Sequence, residues 1–166
     1  LIFNADNGSL GLDNGPNVLS LQNDAQLTIN SNIETLEHMI IQQNATRVLT
    51  INGNIDLQDA EASDYSATET YFRITGEGDT LITGDIQESG QTHDLLKYGP
   101  GTLTLEGSNA MSGTTEVYDG TLELNNADQD NTTIESGQIE LYGGTLLLSD
   151  SDQIDNNTDI VLSGGT

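Results

Sequence analysis

Three copies of one five-residue phrase constrain the fold of this chain more than any other feature. They are Gly101-Thr102-Leu103-Thr104-Leu105, Gly120-Thr121-Leu122-Glu123-Leu124 and Gly144-Thr145-Leu146-Leu147-Leu148, and a fourth begins at Gly165-Thr166. The leading glycines fall 19, 24 and 21 residues apart, a period at which each repeat is one supersecondary unit that buries its apolar face only by stacking on its neighbours. In an extended strand the two leucines of each phrase point to one face, and the threonine and the variable residue to the other. Coils stacked at the inter-strand spacing of about 4.8 Å would pile Leu103, Leu122 and Leu146 into one column and Leu105, Leu124 and Leu148 into a second. The expected fold is all-β, a right-handed parallel β-helix (β-solenoid) of about seven coils in one segment, 1–166.

The composition agrees. Aromatic residues make up 4% of the chain, with 18 glycines and 2 prolines, a balance that suits an all-β repeat protein with a turn at every corner. Three basic residues, Arg47, Arg73 and Lys97, stand against 27 acidic ones for a formal net charge of −24. That charge opposes binding to nucleic acid or to an anionic bilayer. It favours divalent cations or a saline exterior wherever copies must pack closely. The chain has no cysteine, so neither a disulfide framework nor thiol chemistry is available. No apolar run approaches the ~18 residues that span a bilayer, so no direct membrane insertion is expected.

Residues 95–166 carry the cleanest alternating runs, among them 114–118, 138–142 and 159–162, each reading as a short strand. Runs at 9–12, 18–21, 26–30, 48–52 and 80–83 follow the same grammar in the degenerate coils of 1–94. Two segments depart from it. Ser31-Asn32-Ile33-Glu34 matches a capping box, with Ile33, Leu36, Met39 and Ile40 at helical spacing behind it. The favoured alternative is a buried strand at Met39-Ile40-Ile41 whose neighbour is Val48–Ile51. Residues 56–70 crowd Asp56, Asp59, Glu61, Asp64 and Glu69 among few large apolar side chains and read as an acidic loop inserted at a coil edge.

The stretch from Leu95 to Leu124 resembles the passenger-associated transport repeat, also called the autotransporter-associated β-strand repeat. Lys97, Gly99, Gly101, Gly107, Asn109, Gly113, Thr115, Val117 and Gly120 occupy the positions of that pattern, with Met111 where the family usually has Tyr. The resemblance implies a right-handed parallel β-helix in a secreted or surface-exposed bacterial protein, with a structural and secretion-supporting rather than catalytic role.

Chemistry-bearing constellations are sparse. His38 and His93 fall in no metal spacing and beside no nucleophile motif. Carboxylates abound, but β-helix hydrolases and lyases also need a basic partner, which this chain scarcely supplies; catalytic residues: none expected. No cofactor is expected apart from calcium, for which Asp128, Asp130, Asp150 and Asp152 are the candidate ligands, supplying hard oxygens in turns. As turn formers that bond their own backbone and tolerate left-handed conformations, the same residues are explained without any ion.

Leu1, Ile2 and Phe3 open the sequence on apolar residues, and its final phrase stops at Gly165-Thr166. A solenoid must cover its end coils, so the expectation is a longer parent chain or end-to-end contact of copies through Leu1, Ile2, Phe3, Val161 and Leu162. The expected function is a non-catalytic extracellular stalk or fibre segment at a bacterial cell surface. The expected partner is another copy of itself, and the alternative is an adhesin binding glycan or a host surface through residues 56–70.

Overall fold

The computed structural model describes residues 2–3, 10–12, 17–35, 38–58, 70–127 and 133–166. They form a β-solenoid of three parallel sheets with seven, five and seven strands, which the chain visits in rotation over about six turns. No helix occurs among the described residues. The capping-box segment is instead two strands, Ile33–Thr35 and Met39–Ala45. Strand alternation outweighs the short helical spacing there because Ile33 and Thr35, and then Met39, Ile41, Gln43 and Ala45, enter the core.

Register makes the core continuous. In the first sheet Leu49 pairs with Thr80, Thr80 with Leu103, Leu103 with Leu122 and Leu122 with Leu146. Beside this column run Ile29, Ile51, Ile82, Leu105, Leu124 and Leu148. In the third sheet Ile41, Ile74, Lys97, Val117, Leu141 and Leu162 form one column. Along Thr102–Leu105 and Thr121–Leu124 the side chains alternate half-buried and buried, with the leucines inward. Fully burying each such side chain stabilises by about 1.5–3 kcal/mol.

Two expectations are corrected by the pairing. The strand containing Met39-Ile40-Ile41 does not neighbour Leu49–Ile51: it lies in the third sheet between Asn17–Asn23 and Thr70–Thr75, whereas Leu49–Ile51 lies in the first. Consecutive strands of a solenoid turn a corner, so partners sit a whole coil apart. The two ends of the acidic loop expected at 56–70 are strand instead, Asp56 within Ile55–Gln58 and Thr70 opening Thr70–Thr75. Asp56 is engaged there, accepting hydrogen bonds from Gln58 and Ser89 at 2.9 Å. Residues 59–69 lie outside the described residues.

One corner repeats a device that joins each coil to the next. The Asn32 side-chain oxygen accepts the backbone N–H of Asn54 at 3.0 Å, that of Asn54 accepts the N–H of Asp85 at 3.0 Å, and Asp85 accepts the N–H of Ser108 at 2.9 Å. The glycine before each link lets the coils approach: a Cβ on Gly84 would lie 2.3 Å from the Gly53 carbonyl oxygen. Elsewhere Asp79, Asp94 and Glu88 accept the N–H groups of Thr102, Thr114 and Ser112 one coil on, at 2.8, 2.7 and 2.9 Å.

Two substitutions test this framework by chemical denaturation. Asp85→Ala removes an acceptor from the Ser108 N–H and should cost about 1–2 kcal/mol, while Asp85→Asn, which copies Asn54 below it, should stay close to wild type. Thr80 stands in the leucine column with a buried hydroxyl that has no partner, so Thr80→Val should stabilise by about 1 kcal/mol. A neutral Asp85→Ala would contradict the inter-coil ladder.

Candidate functional site

Alternation carries the inward columns as far as the last coil, and there the cover ends. Leu146 is half-buried, while Leu148 is 49% and Leu162 67% exposed, and Ile160 on the column of Ile139 is 49% exposed. These are the inward positions of the terminal coil, so together they present the apolar cross-section of the core. The strands Thr145–Leu148 and Asp159–Leu162 are the outermost members of their sheets, and Thr166 already starts a further rung, with its N–H on Gly144 and its carbonyl on Leu146.

The residues expected at an end contact are thereby separated. Leu162 follows Leu141 and Val117 in an inward column, whereas Val161 follows Glu140 and Glu116 on the outer surface. A strand sends consecutive side chains to opposite faces, so a coil stacked on this edge would meet Leu162 on the core side and Val161 on the outer side. Ile2 and Phe3 pair through their backbones with Thr28 and Ile29 at the opposite edge of the first sheet; Leu1 lies outside the described residues.

Lys97 is the unusual member of the core. Its position faces inward between Ile74 and Val117, and it is 1% exposed. The aliphatic stem fills the column while the ammonium donates to the carbonyls of Gly99 at 2.6 Å and of Tyr98 and Asp119 at 3.2 Å. Gly99 and Gly120, at φ +77° and +70°, turn the backbone so that these carbonyls converge. Burial lowers the Lys97 pKa to about 8, against the opposing pull of Asp119 and Asp79.

Beside it, Tyr98, Tyr118 and Tyr142 stack along the outer corner at 4.3 and 4.8 Å between ring centroids. Their hydroxyls lean on carboxylates: Tyr118 donates to Glu116 at 2.5 Å and Tyr142 to Glu140. These bonds raise both phenol pKa values, that of Tyr142 to about 12.

Of the calcium candidates, only Asp150 and Asp152 are among the described residues. Asp128 and Asp130 lie outside the described residues, Asp150 accepts the Ser151 N–H at 2.7 Å, and Asp152 holds a left-handed turn at φ +54°. Among the described residues no three His, Asp or Glu side chains gather as a metal site. A shallow groove of about 450 Å³ crosses the outer face of the first sheet between Val48, Leu81, Thr104 and Glu123, and no basic residue or histidine lines it.

Several buried polar residues escaped sequence reasoning. Asn109 occupies an inward isoleucine column, accepting the Ile86 N–H at 3.0 Å and donating to Gly107 and Thr133 at 3.0 and 2.7 Å. Gln153 bonds both the N–H and the carbonyl of Asn126, at 2.7 and 2.9 Å. The one available signal was a polar residue at an inward position of an alternating run.

Lys97, Asn109 and the glycines of both corners thus act together in one coil. Residues 95–124 match the family model of the passenger-associated-transport-repeat. The buried Lys97 and Asn109 of this matched segment bond backbone groups of their own coil and of the coils on either side. No curated protein and no solved structure matches the chain.

The passenger-repeat lysine gives a pH test. Its pKa is about 8 in the folded chain against 10.5 as the ordinary value, so between these values the unfolded state binds more protons and stability rises with pH. The denaturation midpoint should therefore climb from about pH 8 toward pH 10 and fall back as pH drops through 8. In Lys97→Met this rise should vanish, and the three carbonyls left without a donor should lower stability by about 2 kcal/mol.

Proposed function

We propose that this chain is a non-catalytic structural section of an autotransporter passenger-type β-helix, displayed outside a bacterial cell, whose task is to extend a rigid stack of coils. The observation that carries the reading is the unbroken in-register pairing of the inward columns, each coil stacking on the one before it. The passenger repeat at 95–124 supports the structural role and the secreted or surface location. The scarcity of basic residues supports a scaffold rather than an acid–base catalyst.

A coil supplied by a second copy is a head-to-tail contact that does not close and so propagates as a filament. The charge of −24 on each copy opposes that contact in dilute salt, and screening over about 8 Å at physiological ionic strength relieves it.

Sedimentation velocity of the 166-residue chain over a range of concentration and salt tests this reading. Association should grow with both, and Leu162→Glu or Ile160→Glu should abolish it while leaving the β-sheet circular dichroism unchanged. A chain that stays monomeric at millimolar concentration and high salt would overturn self-stacking.

A further inference from the structure

Of the three basic residues, two are already engaged. Lys97 gives its ammonium to backbone carbonyls inside the solenoid. Arg47 pairs with Asp24 at 2.9 Å, a contact that holds the Asp24 carboxyl below its usual pKa. Arg73 is the third, and its guanidinium makes no hydrogen bond or ion pair with any described residue; its Nε is buried without a partner.

The strand register explains how an arginine stays unpaired in so acidic a chain. In its outward column Arg73 stands between Ile40 and Leu96, with Glu116 one coil beyond Leu96. Both immediate neighbours along the column are apolar, and Ile40 is buried although it faces outward. The carboxylate across the strand, Asp94, stands beside Tyr71 rather than Arg73 and already accepts the Thr114 N–H at 2.7 Å.

Aromatic rings fix the guanidinium in place. It lies 5.6 Å from the centroid of Tyr71, whose ring stacks on His38 at 4.6 Å and 11°. The His38 Nδ1 is likewise buried without a partner. A preorganised planar fork, flanked by apolar side chains that lower the local dielectric, binds a carboxylate more strongly than a free surface arginine does.

We propose that Arg73, held against Tyr71 and His38 on the outer face of the third sheet, binds the carboxylate of a sugar acid. The surroundings select this chemistry. The carboxylates of the same face, Asp94 beside Tyr71 and Glu116 one coil beyond Leu96, are acceptors, so a fitting ligand carries one acid to meet the arginine and hydroxyl donors to meet them. A small molecule with a single negative charge also meets less repulsion than a second copy bearing −24. The tyrosine column on the same sheet is not the platform, because Tyr98, Tyr118 and Tyr142 turn their ring faces to one another. The site lies several rungs from the terminal coil.

Titration of the 166-residue chain with glucuronate and with N-acetylneuraminate, followed by NMR at physiological salt, tests the assignment. Saturable binding is expected, centred on resonances of Tyr71, Arg73 and Leu96, and absent for the neutral methyl esters. Arg73→Gln should weaken it at least about tenfold, and Arg73→Lys, which keeps charge but loses the fork, should weaken it in part. Arg47→Gln should leave it unchanged. Thermal melts of the variants separate loss of the ligand from loss of the fold. The assignment is overturned if neither acid binds the wild-type chain, if Arg73→Gln binds as well as wild type, or if Arg73→Gln instead removes self-association, which would assign the carboxylate to a second copy.

Discussion

In-register parallel pairing governs everything else in this molecule. Because an inward residue pairs with the inward residue of the coil above and the coil below, each side chain must suit two like neighbours stacked about 4.8 Å away. Leucine, isoleucine and valine meet that demand by size. Polar residues meet it only where the coil supplies backbone partners, as for Lys97 among the turn carbonyls and Asn109 between Gly107 and Thr133. Thr80 has no such partner, and its column tolerates it because the hydroxyl adds little bulk.

The same geometry gives the acidity a structural meaning. Asp79, Asp85, Glu88 and Asp94 each accept a backbone N–H from the coil that follows. Carboxylates in this role strengthen every step of the stack by charge-assisted bonds, at the expense of a net charge that repels other copies. The bonds act over one coil and the repulsion over a Debye length of about 8 Å, so salt weakens the second far more than the first. An acidic solenoid of this kind is therefore suited to a saline exterior.

The sequence made the fold legible wherever the pattern was local. Gly-Thr-Leu-x-Leu announced both the alternation and the coil length, and the strands at 102–105, 121–124 and 145–148 stand where it put them. Pairing was legible only where the phrase repeated. For Met39–Ala45 no repeat indicated the partner, and chain proximity suggested Leu49–Ile51 in place of the true neighbours a coil away. The asparagine and aspartate ladder was hidden for another reason. Asn32, Asn54 and Asp85 look like ordinary turn residues, and their acceptors serve the next coil, not their own turn. Arg73 showed nothing in the sequence, because its isolation follows from having Ile40 and Leu96 beside it in space.

Inward and outward columns consequently evolve under different rules. An inward substitution is felt by the core side chains of the coils on both sides, whereas an outward residue such as Arg73, Glu116 or Val161 meets only its neighbours on the outer face. In the proposed reading, stacking uses the axis, through Leu148, Ile160 and Leu162, and the proposed sugar-acid contact uses a flank. The two do not compete: a ligand on the third sheet lies beside the coils at Arg73, several rungs from the terminal coil, so coils could be added without covering it. A rigid stack would hold the Arg73 face at a fixed height along the axis, whatever the number of coils added above it.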